Sequence, residues 1–271
     1  MKNYVVDSYE NYREEERLTT NNARRIEFLT TARIMEEWIK GSVKILDCAA
    51  GTGVYAFHLA ELGHQVTATD LTPRHVEVMR ETLKKKSYDM ETAVMDATDM
   101  SRFTDESFDV VLNMGPFYHL LTKEQRQNCL SESLRVLRKG GLLFTTYIPR
   151  FYVFQYVAMS DSRYLDARLG KQFVETGVLT HDDEKCFWTD TYYSTKQEME
   201  ELYRRNELEV IDHFAQDGLT PLFSAKVDGW DEEAFQVWCA YHYSVCREAS
   251  LLGASNHVMI VGRKQSSGAS F

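Results

Sequence analysis

Apolar positions along this chain switch repeatedly between two periods. Ile26, Leu29, Ile34, Met35 and Trp38 fall on one helical stripe and predict a helix, with Gly41 as its C-terminal cap. Residues 43–47 form a short apolar run that ends on an acid, the pattern of a buried strand. A helix follows over 54–62 and stops at Gly63. Residues 65–70 read as a second strand ending on an acid, and Pro73 suits the first turn of a helix to about Lys86. Residues 92–95 predict a short strand before Asp96, and 108–113 a buried one. Thr122 and Gln125 have the spacing of a capping box, opening a helix to Arg138 that Lys139-Gly140-Gly141 ends; a strand over 142–148 follows. This alternation predicts a parallel sheet with helices on both faces.

The rhythm changes after residue 150. Ten aromatics fall between 151 and 194, nearly twice the 12% density of the whole chain. Thr195 and Glu198 form a second capping box, with a helix to about Asn206. Strands are predicted over 208–214 and 257–263. Between them lies a helix near 231–248, with Phe235, Trp238, Cys239, His242 and Val245 at helical spacing.

Composition narrows the class. At 271 residues, 44% hydrophobic and 27% charged, the chain is globular and large enough for a substantial core. A net charge of −10 disfavours nucleic acid and anionic membranes as partners. The five cysteines include no C-x-x-C pair, so neither a disulfide framework nor a zinc site is expected; the metal expectation is none. Residues 151–159 are too short and too interrupted to span a bilayer, and the polar start shows no secretory apolar core. A cytoplasmic protein, monomer or homodimer, is the expectation.

Asp47, Asp70 and Asp96 fall at the carboxyl edge of successive parallel strands, where open α/β sheets bind ligands. Cys48-Ala49-Ala50-Gly51-Thr52-Gly53 leads from the first of them into a helix whose free N–H groups suit an anion. Two cofactors fit. A dinucleotide would match Gly51-x-Gly53-x-x-Ala56, with Asp70 19 residues beyond Gly51 as the ribose acid. S-adenosylmethionine fits better, because Asp47 beside the loop would repel a pyrophosphate and attract a sulfonium and an ammonium.

At these residues the sequence resembles the class I S-adenosylmethionine-dependent methyltransferases. The matching pieces are 45–53, 68–72, 95–97, 108–115 and 135–141, and the ending 250–264 resembles uncharacterised bacterial members. The resemblance implies a Rossmann-like, doubly wound α/β fold, a seven-stranded sheet with its last strand antiparallel. It further implies that Ala49, Ala50, Gly51, Thr52 and Gly53 hold the methionine moiety beside Asp47. Asp70 would take the ribose hydroxyls, Leu71 would pack on the adenine, and Asp96 with Ala97 would read its edge. Asn113, Met114 and Gly115 would lie under the methionyl part. Ala49 stands where the family usually has glycine, and needs a negative φ. We read residues 1–264 as one methyltransferase-like domain. It comprises an N-terminal helical cap (1–40), a cofactor-binding core (41–150), and two helical insertions after strands 5 and 6 (151–194 and 215–256) forming a substrate cover. Residues 265–271 are expected to be a disordered tail.

Asn113-Met114-Gly115-Pro116 departs from the Asn/Asp-Pro-Pro-aromatic motif of nucleobase amino-methyltransferases, so the expected acceptor is a small molecule. Tyr118 and His119 lie near the point of methyl transfer, with His119 as candidate general base. The aromatics of 151–194 either line an apolar acceptor pocket or pack the insertion; Tyr4, Tyr9 and Tyr12 either fold over the cofactor or dock the chain start. A non-catalytic binder of the same cofactor and a nicotinamide-dependent oxidoreductase remain as alternatives.

Overall fold

The computed structural model describes residues 4–265; apart from Gln265, the tail expected at 265–271 lies outside them. Nine strands occur among these residues: β1 (Lys44–Asp47), β2 (Gln65–Asp70), β3 (Met90–Val94), β4 (Phe108–Asn113), β5 (Leu137–Tyr147), β6 (Val178–Leu179), β7 (Thr191–Tyr192), β8 (Leu208–Ala215) and β9 (Val258–Lys264). Seven make one sheet in the order β3-β2-β1-β4-β5-β9-β8. The first five pair in parallel, and β9 runs antiparallel between β5 and β8. The seven-stranded, doubly wound expectation is met. The β6–β7 hairpin is too short to leave a sequence period.

The strands alternate between the two faces as a period of two requires. Ile45, Val110, Leu112, Phe144, Met259 and Val261 enter one apolar cluster. Leu46, Val111, Leu143, Val258 and Ile260 enter the other. The first face is covered by α2 (Asn22–Trp38), α3 (Val54–Glu61) and α4 (Pro73–Leu83), the second by α5 (Lys123–Val136) and α8 (Lys196–Arg205). Both capping boxes are formed, at Thr122–Gln125 and Thr195–Glu198.

Several boundaries shift, two of them with a clear physical reason. Helix α2 ends at Trp38, with Ile39 extended; Gly41 sits two residues further on, in the turn, at φ +72°. The fifth helix ends at Val136 rather than Arg138, and Lys139-Gly140-Gly141 belongs to β5, where the register against β4 breaks between Phe108 and Val110. A Cβ on Gly141 would meet the Asp109 carbonyl oxygen at 2.8 Å, so it serves close strand approach, whereas Gly140 stands in open space at φ +74°, a left-handed turn of the backbone.

A short N-terminal helix, α1 (Tyr4–Glu10), precedes the core. The first insertion carries α6 (Arg150–Ser160) and α7 (Ala167–Glu175) around their own cluster of Ile148, Val153, Val157, Leu169, Phe173 and Tyr193. The second carries α9 (Ser224–Val227) and α10 (Glu232–Val245) and docks on α2. There the Asn22 side chain donates to the Val227 and Trp230 carbonyls and Arg25 pairs with Glu232. Among the described residues no helix is long and apolar enough to cross a membrane.

Candidate active site

Strand order reverses between β1 and β4, and a cavity of about 720 Å³ opens at the carboxyl ends of these strands. One wall is built from the strand ends. Asp70 ties its loops together: Oδ2 accepts from the Gly51 N–H at 2.8 Å, while Oδ1 accepts from the Thr72 N–H at 2.8 Å and from His75 Nδ1 at 3.1 Å. Gly51 has φ +56°, a left-handed backbone that turns its N–H toward Asp70. Gly53, at φ +89°, begins α3, and a Cβ there would meet Met79 Cγ at 2.9 Å. Ala49 keeps a negative φ, as its side chain demands.

Asp47 is 2% exposed, and its Oδ1 has no hydrogen-bond partner in the chain. Burial, reinforced by the nearby Asp70 charge, pushes its carboxyl up to about 7. Thr52 Oγ1 and His75 Nε2 are likewise buried without partners. Leu71 turns an exposed apolar side chain onto the cavity, and Asp96 engages Thr98 through Oδ1 alone. Ala50, Ala97, Met114 and Gly115 line the same wall.

Two residues expected on this wall are not among those lining the cavity: Gly53, which packs against Met79, and Asn113. The Asn113 side chain is fully buried and donates to Cys129 Sγ at 3.0 Å and Ser133 Oγ at 3.2 Å on α5. It turns away because residues 110 and 112 face one side of β4 and 111 and 113 the other.

The facing wall comes from segments far apart in sequence. His119 Nδ1 lies 3.0 Å from the Asp190 carbonyl oxygen, which can only accept, so Nδ1 carries the proton and Nε2 presents a lone pair. The Tyr9 hydroxyl donates to that Nε2 at 3.1 Å. Burial lowers His119 to about 4, so it is a neutral base at neutral pH. The Trp188 ring packs on His119 with centroids 4.9 Å apart. Tyr118 donates to the Met114 carbonyl at 3.3 Å, and burial raises its pKa.

Beside them lies an ionic cluster. Arg17 donates to Glu14 at 2.6 Å and to Glu27 Oε2 at 2.8 Å. His257 Nδ1 lies 3.3 Å from the same Glu27 oxygen and 3.4 Å from Asp217 Oδ2. Despite a desolvation cost that opposes charge, these carboxylates hold His257 up to about 9, an imidazolium at neutral pH. Glu27, Asp217 and His257 bring ligand atoms within 4.8 Å of one another, a grouping that could take a metal ion. Arg17 on Glu27, and three donors on Asp217 Oδ1 (Ser255 Oγ and the Asn256 and His257 N–H groups), instead satisfy it as an ion-pair network.

None of the ten aromatics of 151–194 lines the cavity; that segment contributes His181 and Asp190. Six of the ten pack the insertion's own cluster and Trp188 backs Tyr9, Tyr118 and His119, while the cavity's rings are Tyr4, Tyr9, Tyr55 and Tyr118 with the histidines. The second excursion contributes only Gln216, with His257 beyond it. Sequence reading therefore missed Arg17, Glu27, His75, Asp190 and His257. Each is an isolated polar residue whose meaning depends on long-range packing.

Fold and wall together define a nucleotide-type cofactor domain whose buried acid favours a cation over a pyrophosphate. Residues 45–141 match a family described as a methyltransferase domain, which supports the resemblance to the class I S-adenosylmethionine-dependent methyltransferases. A glycine/sarcosine N-methyltransferase of Aphanothece halophytica is 32% identical over 38% of this chain and 39% of its own length. A ubiquinone biosynthesis O-methyltransferase of Methylocella silvestris is 34% identical over 46% of this chain and 47% of its own. The chain thus spans less than half the length of these relatives. A solved structure described as a methyltransferase from Methanosarcina mazei superposes with TM-score 0.60 over 86% of this chain and 97% of its own, at 17% identity, a likeness of fold.

Proposed function

We propose that this protein transfers a methyl group from S-adenosylmethionine to a small-molecule acceptor. The observation that carries the reading is Asp47, a buried carboxylate with an unpartnered oxygen at the mouth of a glycine loop. A cationic group there would compensate a charge that burial otherwise penalises. The donor set fits the cofactor: Asp47 and residues 49–52 toward the amino-acid end, Asp70 toward ribose hydroxyls, Leu71, Asp96 and Ala97 toward adenine, and Met114 and Gly115 beneath.

When bound, S-adenosylmethionine supplies a methyl group on a good leaving group. The chain's own residues align the acceptor, exclude water and handle a proton. Tyr118 fixes the turn after β4 through the Met114 carbonyl. His119, neutral with Nε2 presented, serves as base. The first insertion, as cover, sets His119 through the Asp190 carbonyl. The O- and N-methyltransferase names of the relatives support a small-molecule acceptor.

Calorimetric titration with S-adenosylmethionine, S-adenosylhomocysteine and NAD tests the reading. Wild type should bind the first two and not NAD, and Asp70→Ala should weaken them by roughly a hundredfold, since it removes both a ribose partner and the Gly51 tether. Binding of NAD alone would overturn the proposal.

A further inference from the structure

The hydrogen bond between Tyr9 and His119 has a direction that constrains the acceptor. Nδ1 of His119 is committed to the Asp190 carbonyl, so the phenol must donate to Nε2. The base is therefore already occupied by a hydroxyl proton, and Tyr9 Oη keeps lone pairs for one more donor. Tyr9 lines the cavity, and its ring packs edge-on against His75, His119 and Trp188 with centroids 5.5, 5.5 and 6.0 Å away. Helix α1 is itself held at both ends. Thr189 Oγ1 donates to the Tyr4 carbonyl, the Tyr4 ring stacks on His181 at 3.5 Å, and the Arg74 N–H donates to Glu10. The phenol is thereby fixed between the cofactor wall and the cover.

We propose that the methyl acceptor is a phenolic or enolic hydroxyl, and that its proton leaves through Tyr9 Oη to His119 Nε2. This rests on the methyltransferase reading above and specifies its acceptor atom. The step balances. The methyl C–S bond breaks with its electron pair going to sulfur, and an O–CH₃ bond forms. The acceptor O–H proton passes to Tyr9 Oη while the Tyr9 proton passes to His119 Nε2. The positive charge lost at sulfur reappears on the imidazolium, which the Asp190 carbonyl and the Asp70 and Asp190 carboxylates stabilise.

Two features favour this acceptor over the others. An amine attacks as the neutral base and can lose its proton after transfer, whereas a hydroxyl must shed its proton as it attacks. His119 is also a weakened base, since burial lowers it to about 4, so it suits an acidic hydroxyl and not an alkyl alcohol.

The test measures S-adenosylhomocysteine release from the full-length chain with catechol and 4-nitrophenol, and with glycine and histamine, for wild type, Tyr9→Phe, His119→Gln and the double variant. Wild type should turn over the phenols and not the amines. Tyr9→Phe should lower kcat for catechol by roughly a hundredfold, the scale of general acid–base catalysis, with KM little changed. At pH 8.5, where 4-nitrophenol is ionised, the same variant should lose less than about fivefold, because no proton remains to be relayed. The double variant should be no slower than His119→Gln, as for groups acting as one unit. Turnover of amines only, of no phenol, or an equal Tyr9→Phe loss with both phenols overturns the relay. Calorimetric binding of S-adenosylhomocysteine, read on the same preparations, keeps that failure distinct from failure of the cofactor reading.

Discussion

The two walls of the cavity are built on opposite principles. The cofactor wall comes from short loops that directly follow β1, β2, β3 and β4, and it leaves buried polar atoms without partners: Asp47 Oδ1, Thr52 Oγ1 and His75 Nε2. The acceptor wall draws Tyr9, Arg17, Glu27, His119, Asp190 and His257 from across the chain, and pairs almost every polar group internally. A buried polar atom costs free energy until something meets it. The first wall is thus complete only with a ligand of fixed chemistry, whereas the second holds its shape alone and selects by geometry. The largest disturbance should therefore come from breaking the self-satisfied wall, and milder ones from altering the unsatisfied wall.

Glu27→Gln is the severest case. It leaves Arg17 and His257 beside a neutral amide in a buried setting, and removing one partner of such a network costs about 3–5 kcal/mol. Chemical denaturation should show that loss at pH 7. It should shrink above about pH 9, where His257 is deprotonated in both proteins and contributes no charge to strand. The sign follows from His257: its folded pKa is raised, so its pairing stabilises below about 6.5 and fades as pH climbs through about 9. An unchanged midpoint across pH 6 to 10 would mean that the ion pairs are incidental.

The same contrast explains what the sequence disclosed. Residues 43–70 and 108–113 carry uninterrupted period and end signals, so strands, acids and glycine loop could be placed from local chemistry. The antiparallel direction of the last strand followed from the family resemblance, not from any local signal, and its insertion between β5 and β8 left no mark in the sequence. Lys139-Gly140-Gly141 misled because a glycine pair marks a helix end and a strand irregularity equally well. The aromatics of 151–194 left two readings open, for burial within an insertion and exposure to a ligand demand the same side chains. Arg17, Glu27 and His257 were illegible, since nothing within ten residues of any one indicates that all three meet.

On the unsatisfied wall, Asp47→Asn should stabilise the unliganded protein. The Asp47 carboxyl is raised from 3.8 to about 7, so the folded state holds an extra proton between those values and stability falls as pH rises across them. The full penalty above pH 7 is up to about 4 kcal/mol, and an amide that itself lacks partners would recover about 2 kcal/mol of it. The melting temperature at pH 8 should thus rise by roughly 4–8 °C, and at pH 4 hardly move. The affinity for S-adenosylmethionine should fall at the same time, by about tenfold, as its cationic end loses the charge that draws it. A variant less stable than wild type at pH 8 would show that the hydrogen bond from the Ala49 backbone outweighs the desolvation of the carboxylate.

The smallest effect marks where the cofactor wall ends. Asn113 closes β4 and stands directly before Met114 and Gly115, so proximity alone assigns it to the wall. Its side chain instead reaches α5, where Nδ2 bonds Cys129 and Ser133. Asn113→Ala should therefore cost about 1–2 kcal/mol of stability, the value of a buried hydrogen-bonded amide, and leave the affinity for S-adenosylhomocysteine within about twofold. Ser133→Ala should reproduce much of the stability loss, because both substitutions break the same bond. Asn113→Ala weakening cofactor binding tenfold at unchanged stability would move the boundary of the wall into β4. The wall would then include the last residue of β4, whose Oδ1 is itself buried without a partner.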